Sequence, residues 1–247
     1  MRCFLCVKQL KIEKQKERLA VYFSAENLHE AFDSVTIDVS FECEKGTMTS
    51  IVGPSGSGKS TVLRLISGLD KPGKNQKIVL DGVDITGEKP AKRRIGMVFQ
   101  KNTLFNHLRV EDNVAYGLVS NGMNKKTARA EASAFLKDFG LEGFEKRYPD
   151  TLSGGEAQRV SLARTLIMKP KLVLFDEPLS ALDAPLRKKL AQFIRELQKT
   201  FGFTGIMVTP DINEAKTVSD RIILIKNGKI FWSGRAEDFD ERLMEEK

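Results

Sequence analysis

The run Gly53-Pro54-Ser55-Gly56-Ser57-Gly58-Lys59-Ser60-Thr61 constrains this chain more than any other stretch. It fits the pattern G-x-x-x-x-G-K-[ST]. It sits between Thr49–Gly53, which reads as a buried strand, and Ser60–Ser67, which reads as a helix. Glycines at these positions let consecutive backbone N–H groups wrap phosphate oxygens without Cβ clashes. The helix that follows adds the positive end of its dipole. Lys59 supplies a point charge for β- and γ-phosphates, and the Ser60 hydroxyl suits Mg²⁺. A dinucleotide-binding reading fails, because Gly56-x-Gly58 needs a third glycine where the chain has Thr61.

A second chemical signal lies downstream. Leu172-Val173-Leu174-Phe175 reads as a buried strand that ends in two carboxylates, Asp176 and Glu177. Ligands of parallel sheets gather at the carboxyl ends of strands. Asp176 there suits Mg²⁺, through water, and Glu177 suits orientation and deprotonation of an attacking water.

The rest of the chain fits around these motifs. Val35, Ile37, Val39 and Phe41 alternate with polar residues as in a half-buried strand, and Glu44-Lys45-Gly46 turns the chain. Leu19–Phe23, Lys77–Leu80 and Ile95–Phe99 read as short strands. Between Lys101 and Arg164 the texture is helical, with helices expected over Thr127–Phe139 and Gly154–Met168. Strand and helix then alternate: Leu172–Phe175, Asp183–Thr200, Thr204–Val208, Ile212–Val218, Ile222–Ile225 and Lys229–Trp232. Alternation of this kind implies a parallel α/β sheet.

Composition narrows the classes. The 247 residues are 41% hydrophobic and 30% charged, an ordinary globular balance. No apolar run reaches the roughly 18 residues of a membrane span. Three cysteines, Cys3, Cys6 and Cys43, give no disulfide framework, and two histidines, His29 and His107, give no His-rich metal site. Cys3-x-x-Cys6 is a weak metal or redox signal, and Met1–Val7 is too short for a secretory signal. The net charge is +7, of which about +4 lies in residues 1–18, read as a charged helical extension. No aromatic interleaving or base-reading motif accompanies that charge, so nucleic acid is not an expected partner.

Leu152-Ser153-Gly154-Gly155-Glu156-Ala157-Gln158-Arg159 closely resembles the signature motif of the ATP-binding-cassette (ABC) ATPases. Val98-Phe99-Gln100 resembles the same family's Gln loop, and Ser180-Ala181-Leu182-Asp183 its D-loop. Order and spacing agree from about Leu19 to Trp232, with the nearest likeness to ATPase subunits of bacterial importers for small anions, metals, polyamines or thiamine.

The resemblance implies a P-loop (RecA-like) α/β core with an N-terminal antiparallel β part and an inserted helical subdomain. The expected boundaries are an extension over 1–18, an ATPase domain over 19–233 and a tail over 234–247. Within that domain the core takes 19–100 and 165–233, and the helical part 101–164. No appended regulatory domain is expected after Trp232. The implied activity is ATP hydrolysis that powers solute import by dimer closure. ATP phosphates would lie on Gly53–Thr61, with Lys59 and Glu177 catalytic. Mg²⁺ would lie on Ser60, Gln100 and Asp176, and the adenine would stack on Phe32, with Tyr22 and Phe23 as weaker candidates.

Ser153-Gly154-Gly155 before a helix forms a second anion cradle. The resemblance implies that Ser153, Gly154, Gly155 and Gln158 close on ATP held by a second ATPase chain, with Asp183 in the D-loop. Further implied partners are transmembrane permease subunits, reached through Lys101–Tyr116, and a solute-binding protein. The implied location is peripheral, on the cytoplasmic face of the inner membrane.

One position departs from the family. Its switch loop carries a histidine in a pattern like V-T-H-D, and this chain has Val208-Thr209-Pro210-Asp211. Proline offers neither a side-chain donor nor an N–H. Losing one such donor costs about 2.7–4 kcal/mol in comparable oxyanion sites, so slow hydrolysis is expected alongside intact ATP binding.

Overall fold

The computed structural model describes residues 21–31, 36–73, 75–101 and 103–245. The extension 1–18, with Cys3 and Cys6, and Phe32 lie outside the described residues.

Among the described residues, ten strands form one mixed sheet. They are β1 (Val21–Ala31), β2 (Thr36–Glu44), β3 (Met48–Val52), β4 (Lys77–Leu80), β5 (Val83–Asp84), β6 (Ile95–Val98), β7 (Leu172–Asp176), β8 (Thr204–Val208), β9 (Arg221–Lys226) and β10 (Lys229–Arg235). Their order is β5-β4-β1-β2-β10-β9-β3-β8-β7-β6. The run β9-β3-β8-β7-β6 is parallel, while β1 pairs antiparallel with β2 and β4. The parallel run is the part expected from alternation, and β1, β2 and β4 form the N-terminal antiparallel part that the resemblance implied. Strict alternation in β2 explains the antiparallel part: Ile37, Val39, Phe41 and Cys43 are buried, and the residues between them are exposed.

Helix α1 (Lys59–Ser67) fills the space between the two halves. Its Val62, Leu63, Leu65 and Ile66 pack in one cluster with Phe23, Leu28 and Ile37 on one side and Ile51, Leu174 and Ile206 on the other. The alternate residues of β7, Val173 and Phe175, face the opposite way, into a core with α4 (Gly154–Leu166) and α5 (Ala184–Phe201). A strand buried on both faces reads as a continuous apolar run, as Leu172–Phe175 does.

Between β6 and β7 lie α2 (Val110–Ser120), α3 (Lys125–Leu136) and α4. Helix α2 was not expected from the sequence. Its Val110, Val114, Ala115 and Leu118 recur at helical spacing and join Ala128, Ala132 and Val160 in the core. The last α-helix among the described residues, α6 (Ile212–Val218), leads into β9. Strand β10 runs on to Arg235, and Ala236 and Phe239 are buried beyond it, Phe239 edge-on to Trp232 at 5.2 Å. Ala236 and Phe239, within the expected tail, thus pack in one cluster with Val52, Ala215 and Leu224. No helix among the described residues is long and apolar enough to cross a membrane.

Candidate functional site

The parallel strands end in line. Val208 pairs with Ile51 on one side and Asp176 on the other, and Phe175 pairs with Val98. The segments after β3, β6, β7 and β8 therefore emerge along one edge: the glycine loop, Gln100, Glu177 and Thr209-Pro210-Asp211.

Local backbone geometry explains the glycine loop. Gly53 has φ +152°, and a Cβ there would lie 2.1 Å from the Ile225 carbonyl oxygen. Gly58 has φ +94° and sits against Ile37, whose side chain a Cβ would meet at 2.6 Å. That contact also places the β1–β2 pair beside the loop. Gly58 is the N-cap of α1 and offers no capping side chain, so the first N–H groups of the helix stay free for an anion. The buried Ser57 hydroxyl has no hydrogen-bond partner among the described residues.

Lys59 is 5% exposed and donates to the carbonyls of Gly53 at 2.9 Å and Pro54 at 2.8 Å. Burial pushes its pKa down, and the nearby Glu177 and Asp176 carboxylates oppose that shift. Ser60 donates its hydroxyl to Asp176 Oδ1 at 2.8 Å. Gln100 is exposed two residues beyond β6. A hydroxyl, a carboxylate and an amide oxygen form a hard donor set of the kind that divalent Mg²⁺ takes.

Glu177 has φ +44°, a costly conformation for a residue with a Cβ. Its surroundings enforce it: the Glu177 N–H donates to the Val208 carbonyl, and its own carbonyl accepts from the Ser180 N–H at 3.2 Å and hydroxyl at 2.9 Å. Thr209 is fully buried, while Pro210 is exposed.

The second cradle stands apart. Ser153 caps α4 in a capping box: its hydroxyl accepts from the Glu156 N–H, and Glu156 accepts from the Ser153 N–H at 2.7 Å. Part of the expected anion cradle is therefore already engaged within the chain. Gly154 and Gly155 are also packing residues, since a Cβ would meet Leu182 at 3.3 Å and Leu186 at 3.1 Å. The cleft at Ser153 is lined by residues of α4 and α5, none from the glycine loop. Gln158, by contrast, is 2% exposed on the inner face of α4, and its Nε2 has no hydrogen-bond partner among the described residues. Glu156, two residues earlier, is part-exposed and lines the cleft at Ser153, and its place in the capping pattern S-x-x-E is the sequence signal for it. Asp183 is exposed and caps α5 without a side-chain bond.

Phe23 is fully buried against Phe41 and is no stacking residue. Tyr22 lies between Val21, which pairs with Glu44 at the far end of β2, and Phe23, and its carbonyl accepts from the Asp81 N–H, whereas the glycine loop touches Ile37 at the other end. The intervening strand length, about 20 Å or more, excludes it.

A family model described as ABC transporter matches residues 37–180. The Fe(3+) ions import ATP-binding protein FbpC of Rhizobium etli is 46% identical over 218 residues, 87% of this chain and 62% of that protein. The protein of the same description in Escherichia coli K12 is 45% identical over 214 residues, 86% of this chain and 61% of its own length. The chain thus spans about three fifths of the curated relatives it matches. Among solved structures, cbiO1 of Clostridium perfringens, part of the ABC transporter complex cbiONQ, aligns with a TM-score of 0.79 at 27% identity, covering 89% of this chain and 90% of that one. The ADP conformation of MJ1267, an ATP-binding cassette of an ABC transporter, aligns at 0.80 and 25% identity, covering 91% and 97%. The fold is that of a P-loop NTPase, and the chain belongs to the ABC transporter family.

Proposed function

We propose that this chain is the ATP-binding and hydrolysing subunit of an importer, working through a separate membrane-spanning partner. One observation carries the reading: a single sheet edge brings together Lys59, the Ser60–Asp176 pair and Glu177. Free N–H groups of the glycine loop and α1 would hold the phosphates, and Lys59 would swing from its two carbonyls onto them. Mg²⁺ held by Ser60, Asp176 and Gln100 would neutralise charge on the phosphoryl oxygens. Glu177, rigidly seated by Val208 and Ser180, would orient the attacking water and take its proton.

The cleft at Ser153 and Gly155 takes no residue from the glycine loop, so the reading assigns Ser153, Gly154 and Gly155 to ATP bound by a second ATPase chain. Asp183, exposed at the start of α5, would lie in the same junction. Phe32 remains the proposed adenine platform.

The partner surface would be the segment after Gln100. The Phe105 and Tyr116 rings meet at 4.6 Å, tilted by 44°, Tyr116 is 49% exposed, and the Arg164 guanidinium lies over Phe105 at 5.3 Å. Buried Asn113 fixes this surface from below. The complex would lie on the cytoplasmic face of the membrane with a solute-binding protein, and Fe³⁺, named for the relatives, is the first solute to test.

The test is ATP turnover by the full chain with its permease in lipid nanodiscs. Turnover that disappears in Lys59→Ala and in Glu177→Gln, with nucleotide binding kept in the latter, supports the reading. Turnover that survives Glu177→Gln rejects it.

A further inference from the structure

Two loops at the catalytic edge belong to different strands. Pro178–Asp183 follows β7 and Glu177, and Thr209–Asp211 follows β8. One side chain joins them. Arg187, on the first turn of α5, donates Nη2 to the Leu182 carbonyl at 2.9 Å and Nη1 to Asp211 Oδ2 at 3.3 Å.

Asp211 is itself locked. Its Oδ1 accepts the N–H groups of Asn213 at 2.9 Å and Glu214 at 3.1 Å as the N-cap of α6. Its own N–H donates to the Thr209 hydroxyl, which donates to Glu214 Oε2, both at 3.1 Å. A continuous hydrogen-bonded path thus runs from Leu182 to Glu214 and passes Pro210 by.

We propose that Arg187 is a positioning residue for ATP hydrolysis, tying the Leu182 carbonyl to the Asp211 carboxylate so that the two loops move as one body. The proposal rests on the ATPase reading above. Its physical basis is the seat of Glu177, which takes one backbone hydrogen bond from each side: Val208, just before one loop, and Ser180, within the other. Slippage between the loops would displace Glu177 in its strained conformation. Pro210 cannot resist such slippage, having no N–H and no polar side chain. Packing is incomplete at this point, because a cleft of about 520 Å³ between α5 and α6 is lined by Arg187, Asp211 and Glu214. The planar guanidinium fork is suited to fix two acceptors at one spacing, and an ammonium is not.

The experiment uses the full chain with Arg187→Gln, Arg187→Lys, Asp211→Asn and the Arg187→Gln/Asp211→Asn double variant. Asparagine keeps an acceptor oxygen for the α6 cap and drops the charge. Hydrogen–deuterium exchange should rise together in peptides covering 178–183 and 209–214 in every variant, with 53–61 unchanged. With the permease present, kcat should fall about tenfold in each single variant. KM for ATP should stay within about twofold and the double variant should be no slower. Lysine should rescue neither measurement. Faster exchange confined to one loop, additive losses of kcat, or a loss carried by KM would overturn the proposal. A wild-type chain without turnover would sink the ATPase reading instead, and the exchange measurement would still decide the bridge.

Discussion

The Ser60 hydroxyl donates to Asp176 Oδ1 at 2.8 Å, which joins the first turn of α1 to the end of β7. These residues are 116 positions apart in the chain, so the pair reports correct assembly of the whole parallel sheet. Asp176→Asn keeps an acceptor for Ser60 and removes the charge that a divalent ion would use. We expect its folding stability to change by less than about 1 kcal/mol. The Mg²⁺ concentration for half-maximal ATP turnover should rise at least about tenfold. Titrating Mg²⁺ into wild type and variant at fixed ATP checks this. Superimposable curves would remove Asp176 from the metal site.

Glu214 makes stability depend on pH. Burial pushes its carboxyl up from 4.5 to about 7, the Thr209 hydroxyl and Arg187 work against the shift, and Asp211 and Glu177 add to it. The folded chain therefore holds this proton more tightly than the unfolded chain. Stability from this source is greatest below about 4.5, falls as pH rises to about 7, and is level above that, a span of about 3 kcal/mol. Glu214→Gln keeps an oxygen for Thr209 and removes the titration. Urea denaturation at a series of pH values should show the variant more stable than wild type at pH 8 and little different at pH 4.5. Parallel curves for the two proteins would contradict the assignment.

Much of this site could be read in the sequence because its residues are contiguous. Gly53–Thr61 carries a turn, a helix start and phosphate chemistry within nine residues, and Leu172–Glu177 a strand and its two carboxylates within six. What escaped depends on distant partners. Strand β1 was expected to stop at Phe23 but runs to Ala31, because Ser24–Ala31 has no alternation of its own. A register shift between Ala25 and Leu28, with Asn27 at φ +54° donating to Ser40, fits that segment to β2. The burial of Gln158 escaped for a related reason. On a helix its exposure is set by what packs behind it, and motif membership alone does not say which face it takes. The Arg187–Asp211 bridge spans 24 positions and leaves no local pattern at all.

Asn113 offers a test of the partner surface. It is fully buried, donates Nδ2 to the carbonyls of Phe105 at 3.1 Å, Leu108 at 3.0 Å and Arg109 at 3.2 Å, and accepts from the Phe105 N–H at 2.8 Å. Asn113→Ala leaves these groups unpaired, and we expect a cost of about 2–3 kcal/mol in denaturant titrations. If the loop carries the permease contact, basal turnover of the isolated chain should persist while stimulation by the permease is lost. An equal loss of both would show that Asn113 serves the fold without serving the partner.

Pro210 sits at the same edge as Glu177, two residues beyond Val208, which pairs with Asp176 and accepts from the Glu177 N–H. A histidine there would bring an imidazole donor to the sheet edge where the phosphates are expected. The exchange should cost little stability. Pro210 is exposed, it gives up no N–H on replacement, and the Thr209 and Asp211 bonds that shape the loop do not involve it. If one donor to the developing charge is worth about 2.7–4 kcal/mol, as in comparable oxyanion sites, Pro210→His should raise kcat about a hundredfold with KM for ATP unchanged. The measurement is single-turnover and steady-state hydrolysis by both proteins with the permease present. Equal rates would mean that this chain places its γ-phosphate without help from position 210, and the expectation of slow hydrolysis would fall with it.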